Sequence, residues 1–470
     1  MIKDMLDAHP HGLLDVLQQP QQEYVTEGAS YNSPMAENRC TELSRWVERV
    51  TKQLIDDLPE QSMHESTMVI NYVNNDMVQT SCSSTASKNS SDDQALRLLS
   101  TLFECAVAIS VDNLGEAHGL LLELSQTASP YGCSCAERIV AYFCKAMTSR
   151  VINSWLGICS PLVDLKTGHS AFQMFNNISP YIKFSHFTSN QAILEAFHRC
   201  ERIHIIDLDI MQGLQWPALF HILATRMEGP PTLRMTGMGS SMEVLIETGK
   251  QLSKFAKRLG LCFEFHPIAK KFSEIIDDGC GGVSKLLQIR RGEAIGVHWL
   301  QHSLYDSTGP DWKTMRLLQQ LSPRVITLVE QEIAHGGSFL DRFVSSLHYY
   351  STIFDSLGAL SQTDDQNRHF VEHSFFHREI NNILAIGGPV RSGEDKFRHW
   401  RNELAKNGFL QIPMSNSSMA QAQLILNMCL PGHGYSLVRG EGTLRMGWKD
   451  TDLYTASAWT SPVPKSTTIY

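Results

Sequence analysis

The chain has 470 residues, 42% of them hydrophobic, which is enough for one large domain or two ordinary ones. Its formal charge of −9 argues against a free-standing nucleic-acid binder, because duplex affinity comes largely from lysine and arginine neutralising phosphates. The 11 cysteines are scattered and no Cys-x-x-Cys occurs, so the pattern suits buried reduced thiols rather than a disulfide framework or a clustered zinc site.

Residues 1–92 are rich in Gln, Ser, Asn and Asp and end in a polar tract with little to bury, which predicts a largely disordered segment. The first residues have neither the basic start nor the unbroken apolar core of a signal peptide, and no run approaches a membrane span. One amphipathic helix is expected over 43–58, with Leu43, Trp46, Val47, Val50, Leu54 and Leu58 near helical spacing. From Ala95 the pattern turns helical for about a hundred residues. The first helix is apolar on most faces and reads as buried on several sides. Asp112 and Asn113 are cap residues for a second helix that places Leu114, Leu120, Leu121 and Leu124 on one side. That stripe is either core or a partner surface. A third helix is expected from about Ala136 to Ser154.

Strands and helices then alternate. Strands are expected at Ile203–Asp207, Thr232–Met238, Cys262–His266, Ala294–Trp299 and Val325–Glu330, with helices such as Ser241–Leu259 and Trp312–Gln320 between them. This order predicts an α/β fold with a mostly parallel, Rossmann-like sheet carrying helices on both faces. Near the end, Tyr435–Val438 and Thr443–Trp448 flank a hairpin turn at 439–442. A parallel sheet closed by an antiparallel hairpin is the pattern of class I methyltransferases. The expected layout is a helical cap over about 93–200 and a core over about 201–470.

A working cofactor site of that kind needs glycines in the loop after the first strand and an acid at the end of the second. Here the loop reads Leu208-Asp209-Ile210-Met211-Gln212-Gly213, and the second strand ends in TGMGSSM, with Glu243 far along. Both requirements fail, so no cofactor is expected. His298, His302, Glu330 and Glu332 lie at strand ends, but no nucleophile–base pair, metal-ligand cluster or phosphate loop accompanies them. A methyltransferase-like enzyme with a divergent pocket is the alternative that the sheet order leaves open.

The stretch Ile203-His204-Ile205-Ile206-Asp207, followed by Gln215-Trp216-Pro217-Ala218-Leu219, resembles the VHIID signature of the plant GRAS family, with Ile203 in place of valine. Leucine-rich regions flank it. Pro323, the segment from Phe343 to Tyr350, and Arg378-Glu379 resemble the PFYRE region; Trp400, Gly408, Trp448 and Ser457-Ala458-Trp459 match the closing SAW region. The resemblance covers residues 93–470, and stretches such as KFSHFTSNQAI are most similar to the Scarecrow branch.

The resemblance implies a nuclear transcriptional regulator of plant development rather than an enzyme. It implies pairing with another GRAS protein of Short-root type, or with itself, and with indeterminate-domain zinc-finger proteins that carry most of the DNA contact. It also implies a role in radial patterning and endodermis formation. No strong basic cluster marks an import signal. On the structural side, Asp207 is expected to bind loop amides, His204 to pack or bond under the cap, and Trp216 to anchor its helix with Pro217 in the first turn. Trp448 and Trp459 are expected to be core or edge anchors of the hairpin.

Overall fold

A computed structural model describes residues 88–156, 165–275, 282–300, 312–333, 337–360, 365–385, 399–428 and 434–461. The amphipathic segment at 43–58 and His302 lie outside the described residues. Five helices come first: α1 Lys88–Ser110, α2 Leu114–Thr127, α3 Cys135–Leu156, α4 Leu165–Ile178 and α5 Tyr181–Ala196. Alternation follows with β1 Arg202–Asp207, α6 Trp216–Thr225, β2 Thr232–Met238, α7 Met242–Arg258, β3 Cys262–Ile268, α8 Gly282–Leu286, β4 Ala294–Leu300, α9 Trp312–Leu321 and β5 Val325–Gln331. Three helices then return to the cap: α10 Phe339–Leu360, α11 Gln366–Val371 and α12 His377–Leu384. The chain closes with α13 Trp400–Lys406, β6 Leu410–Ile412, α14 Asn416–Met428, β7 Tyr435–Gly440, β8 Thr443–Trp448 and β9 Thr451–Thr460.

The sheet runs β3-β2-β1-β4-β5-β9-β8-β7, with β6 also paired to β9. Strands β1 to β5 are parallel, and β9 enters antiparallel beside β5. The expected hairpin is present as β7 and β8. The sequence reading missed β9, whose TDLYTASAWT alternates weakly because it is buried on both faces. Ser457-Ala458-Trp459 therefore sits in the middle of the sheet, opposite Leu328, Thr327 and Ile326 of β5. Trp459 belongs to the core beneath the sheet and not to the edge of the hairpin.

Each face of the sheet has its own apolar layer. On one, Ile203, Ile205, Leu233 and Met235 meet Ile193, Trp216, Leu219, Leu245 and Leu252 of α5, α6 and α7. On the other, Ile206, Val297 and Leu328 meet Leu317, Leu318 and Leu404 of α9 and α13. The local signals hold at the helix ends. Asn113 accepts a hydrogen bond from Glu116 N–H as the cap of α2, and Ser241 caps α7. Asp112 instead takes a left-handed turn, with φ of 60°.

The cap is discontinuous in sequence. Its core joins Leu102, Ala106, Leu121, Phe143 and Met147 to Phe343, Tyr350, Phe354 and Phe376 from the segments that follow β5. A π-helical turn, Glu372–Phe376, links α11 to α12 and buries Glu372. There Glu372 meets Arg138 Nε of α3 at 3.1 Å and Arg368 Nε at 3.6 Å. Burial pushes the Glu372 carboxyl up to about 7 against the pull of the two guanidinium groups, and the cluster ties α3 to the π turn.

Two expectations change here. Helix α1 is buried against α2, α3 and α10 as expected, but one side stays open: Leu96, Phe103 and Val107 are exposed, because nothing among the described residues covers it. The thiols divide as well. Cys105 and Cys144 are buried, but Cys133 in the loop before α3 and Cys262 on the edge strand β3 face solvent.

Candidate functional site

The C-terminal ends of β1 and β4 are where this sheet order places a ligand. Burial at the end of β1 pushes the Asp207 carboxyl up to about 8. It accepts Trp216 Nε1–H at 2.9 Å and Asp209 N–H at 3.2 Å, so the expected loop-amide bond is present, joined by an indole bond that was not foreseen. Pro217 lies in the first turn of α6 as expected. Gln215 exchanges two hydrogen bonds with Asn190 of α5, at 2.9 and 3.1 Å.

The glycine-poor loop has a structural consequence. Ile210, 4% exposed, donates its N–H to Met238 O at 2.9 Å and lies over Gly237 near the end of β2. A Cβ on Gly237 would come within 3.0 Å of Ile210 Cδ1. An isoleucine side chain thus packs beside Gly237 in the loop that a dinucleotide-binding fold keeps glycine-rich. Met211 holds a left-handed φ of 46°, and its carbonyl accepts Thr248 Oγ1–H from α7 at 3.1 Å. The loop is pinned closed from two sides.

His204 faces the layer opposite the cap, which corrects the expectation that it sits under the cap. The pleat sends Ile203 and Ile205 to one side of the sheet and His204 to the other. Arg234 Nη2 donates to His204 Nδ1 at 2.9 Å, so the proton sits on Nε2 and is donated to Thr236 Oγ1 at 2.8 Å. Arg234 also pairs with Glu293 at 2.9 and 2.6 Å and donates to the carbonyls of Leu287 and Gln288. Burial and the neighbouring Arg234 hold His204 down at about 3. Arg234→Met, which leaves Glu293 without its cation, is expected to lower unfolding free energy by about 3–5 kcal/mol; a denaturant titration by circular dichroism measures this. The sequence reading missed Arg234, although a lone charge inside TLRMTGM was the available signal.

The strand-end groups also find structural work. His298 Nδ1 bonds Thr327 Oγ1 at 2.9 Å and meets the Trp216 ring edge-on at 5.5 Å. Glu330 accepts the backbone N–H groups of Trp400 and Arg401, and Arg401 bridges to Glu332 at 2.8 Å, holding α13 to the end of β5. Trp400 stacks at an angle on Trp299, with ring centroids 4.5 Å apart. Glu379 is fully buried and accepts bonds from Tyr350 Oη at 3.0 Å and Gln331 Nε2 at 3.2 Å, while Arg378 beside it is half-buried. Pro323 is buried just ahead of β5, and its carbonyl accepts Ser461 N–H at 3.3 Å. Trp448 donates its indole N–H to Asp355 at 2.6 Å, fixing the hairpin to α10.

The leucine stripe of α2 proves to be core. Leu121 and Leu124 are 3% and 1% exposed, and Leu114 and Leu120 are half-buried against the same cluster. The cause is placement: α2 packs against both α1 and α3, so its apolar side points inward. Among the large apolar residues of the described cap that face outward are Leu96, Phe103, Val107 and Val111 on and just beyond α1, Leu122 on α2, and Ile152, Trp155 and Leu156 on α3. Positions 96, 103, 107 and 111 share one helical face, and Phe103 reaches Phe343 of α10 at 5.2 Å.

Among the described residues no group of three or more metal-binding side chains forms, and no helix is long and apolar enough to cross a membrane. One small cleft is present among the described residues. It lies where the cap helices α4 and α5 meet the loop after β1 and the end of β4.

A nine-stranded sheet of this order under a helical cap defines a class of protein, and the family comparison agrees. Residues 98–460 match the GRAS domain family, and the chain belongs to it. It is 54% identical over 376 residues to Protein SCARECROW of Arabidopsis thaliana, covering 78% of this chain and 56% of that one. It is 48% identical over 377 residues to Scarecrow-like protein 23 of the same plant, covering 78% of this chain and 90% of that one. The crystal structure of SCL7 in Oryza sativa superposes with a TM-score of 0.66 at 32% identity, over 77% of this chain and 99% of that one. The chain spans about half the length of the SCARECROW relatives that it matches.

Proposed function

We propose that this chain is a nuclear transcriptional regulator of plant development that works as an interaction scaffold. It pairs through its cap with another GRAS protein of Short-root type and reaches DNA mainly through zinc-finger partners of the indeterminate-domain class. Radial patterning, including endodermis formation, is the process it serves. The observation that carries this reading is the outward apolar face of α1, where Leu96 and Val111 are each 68% exposed and Val107 48%. A run of large apolar side chains along one open helix face marks a surface for another protein. The acidic charge and the Scarecrow relatives support the reading.

The test is a titration against a purified Short-root-type GRAS protein, read by light scattering and calorimetry. A one-to-one complex is expected. Val107→Glu and Leu96→Glu, both exposed, are expected to weaken it at least about 30-fold, as for interface residues worth about 2 kcal/mol or more, while leaving the melting temperature unchanged. Undiminished affinity in both variants would falsify the assignment of this face.

A further inference from the structure

Strands β1 to β5 are parallel, so their N-terminal ends form one edge of the sheet, opposite the crevice at the end of β1. The short segments that lead into them place exposed arginines along that edge. Arg199 and Arg202 stand at the start of β1, Arg258 at the end of α7 ahead of β3, Arg291 ahead of β4 and Arg324 ahead of β5. Neighbouring strands are about 4.8 Å apart, so from β3 to β5 the row spans roughly 19 Å. On a chain of formal charge −9, this is a local basic face.

The acids of the same segments do not cancel it. Glu264 is taken by Arg290 at 2.6 and 2.7 Å, Glu293 by the buried Arg234 at 2.6 Å, Glu228 by His198 at 3.1 Å and Glu195 by Ser415 at 2.6 Å. Among the described acids there, Glu201 is left facing solvent. Several of the cations are instead held by carbonyl oxygens, which fix them without neutralising them. Arg324 Nε donates to Ala196 O at 2.5 Å, and Arg226 donates to Cys200 O at 2.7 Å and to Gly229 O at 2.6 Å. Arg202 lies over Gly292, the residue after Arg291, where a larger side chain would collide with it. Guanidinium groups gathered in this way repel one another, and an anionic chain laid along the edge relieves that repulsion.

Of the large apolar side chains exposed among the described residues, Met227 is the one that these segments carry. The core of a protein interface is apolar and poor in charge, whereas a phosphodiester backbone requires cations in a row. Guanidinium forks also match phosphate oxygens in pairs. We propose that this edge binds the phosphate backbone of duplex DNA without reading its sequence. The contact is weak alone, because the rest of the chain is acidic, and it adds to the hold of a partner that reads bases. It deepens the transcriptional reading above and rests on it.

Fluorescence anisotropy of the full chain with a labelled duplex of arbitrary sequence tests this over a series of salt concentrations. Binding is expected at low salt and falls as salt rises, since each neutralised phosphate releases counterions. The double variant Arg202→Glu, Arg291→Glu is expected to raise Kd at least about tenfold and to flatten the salt slope by about two, one for each lost phosphate contact. Arg291→Gln alone, a milder change at an exposed position, is expected to flatten it by about one. The double variant Arg97→Glu, Lys145→Glu makes the same charge change on exposed positions of the cap and is expected to leave the slope as it is. The proposal is overturned if the duplex does not bind at low salt, or if the cap variant weakens binding as much as the edge variant. It is also overturned if a labelled poly-glutamate peptide binds as tightly as the duplex, which would make the edge a site for acidic protein. No GRAS or zinc-finger partner enters the assay, so its failure and a failure of the pairing reading are separate results.

Discussion

Trp216→Ala is expected to lower the unfolding free energy by about 3–5 kcal/mol from lost burial and the cavity left behind. Removing a hydrogen-bond donor from a buried carboxyl adds roughly 1–3 kcal/mol. The indole is fully buried among Ile203, Ile205, Leu219 and Met235, so neighbouring side chains have little room to close the gap. Its N–H is also one of the two donors to Asp207. Trp216→Phe, which restores most of the volume but not the donor, is expected to recover the larger part of the loss. Denaturant titrations of the three proteins measure both contributions. Equal losses in the alanine and phenylalanine variants would show that the indole bond, and not burial, dominates.

The second prediction concerns pH and has two opposite signs. Burial pushes Asp207 up to about 8, so the folded state holds a proton that the unfolded chain releases near its ordinary value of 3.8. Its contribution to stability is present below that value and is lost as pH rises toward 8. Burial, with His186 close by, holds His298 down at about 3, so the unfolded chain takes up a proton below 6.5 that the folded state refuses. That contribution is present above 6.5 and is lost as pH falls toward 3. Each proton corresponds to about 1.4 kcal/mol per pH unit. The stability gap between wild type and Asp207→Asn should therefore narrow as pH rises from 4 to 8. The gap between wild type and His298→Gln should narrow as pH falls from 6.5 to 3. Unfolding curves at pH 4, 6 and 8 for the three proteins check both slopes. Because Glu330 is also raised, and His186 and His204 are also lowered, the wild-type profile alone is flatter than either difference.

Much of the parallel sheet was legible in the sequence. Strand β2 has the predicted ends, and β1, β3, β4 and β5 extend the predicted ranges by one or two residues. Buried parallel strands are continuous apolar runs between turn signals, which a local reading can find. Ile210 and Met211, whose bulk was readable in the loop after β1, are buried there, since side-chain volume at that place is a local fact. Where the outcome depended on which element packs where, the sequence was silent. The α2 leucines and the open face of α1 have similar apolar periodicity, and only the placement of α3 and α10 decides which of them is covered. The side of the sheet that His204 faces is set by the pleat, but what waits there, Arg234 and Glu293, comes from distant segments. His186 and Asn190 went unnoticed for the same reason. They lie on α5, whose KFSHFTSNQAI carries many polar residues yet is almost entirely buried against the sheet and the cap.

The claim on which the whole account rests is that the crevice at the end of β1 has lost the nucleotide site of its fold class. Isothermal calorimetry with S-adenosylmethionine measures that directly. The account predicts no binding heat at concentrations up to the millimolar range, and substitution of Ile210 by glycine alone should not restore it, because Met211 and Thr248 still pin the loop. Saturable micromolar binding to the unaltered protein would contradict it.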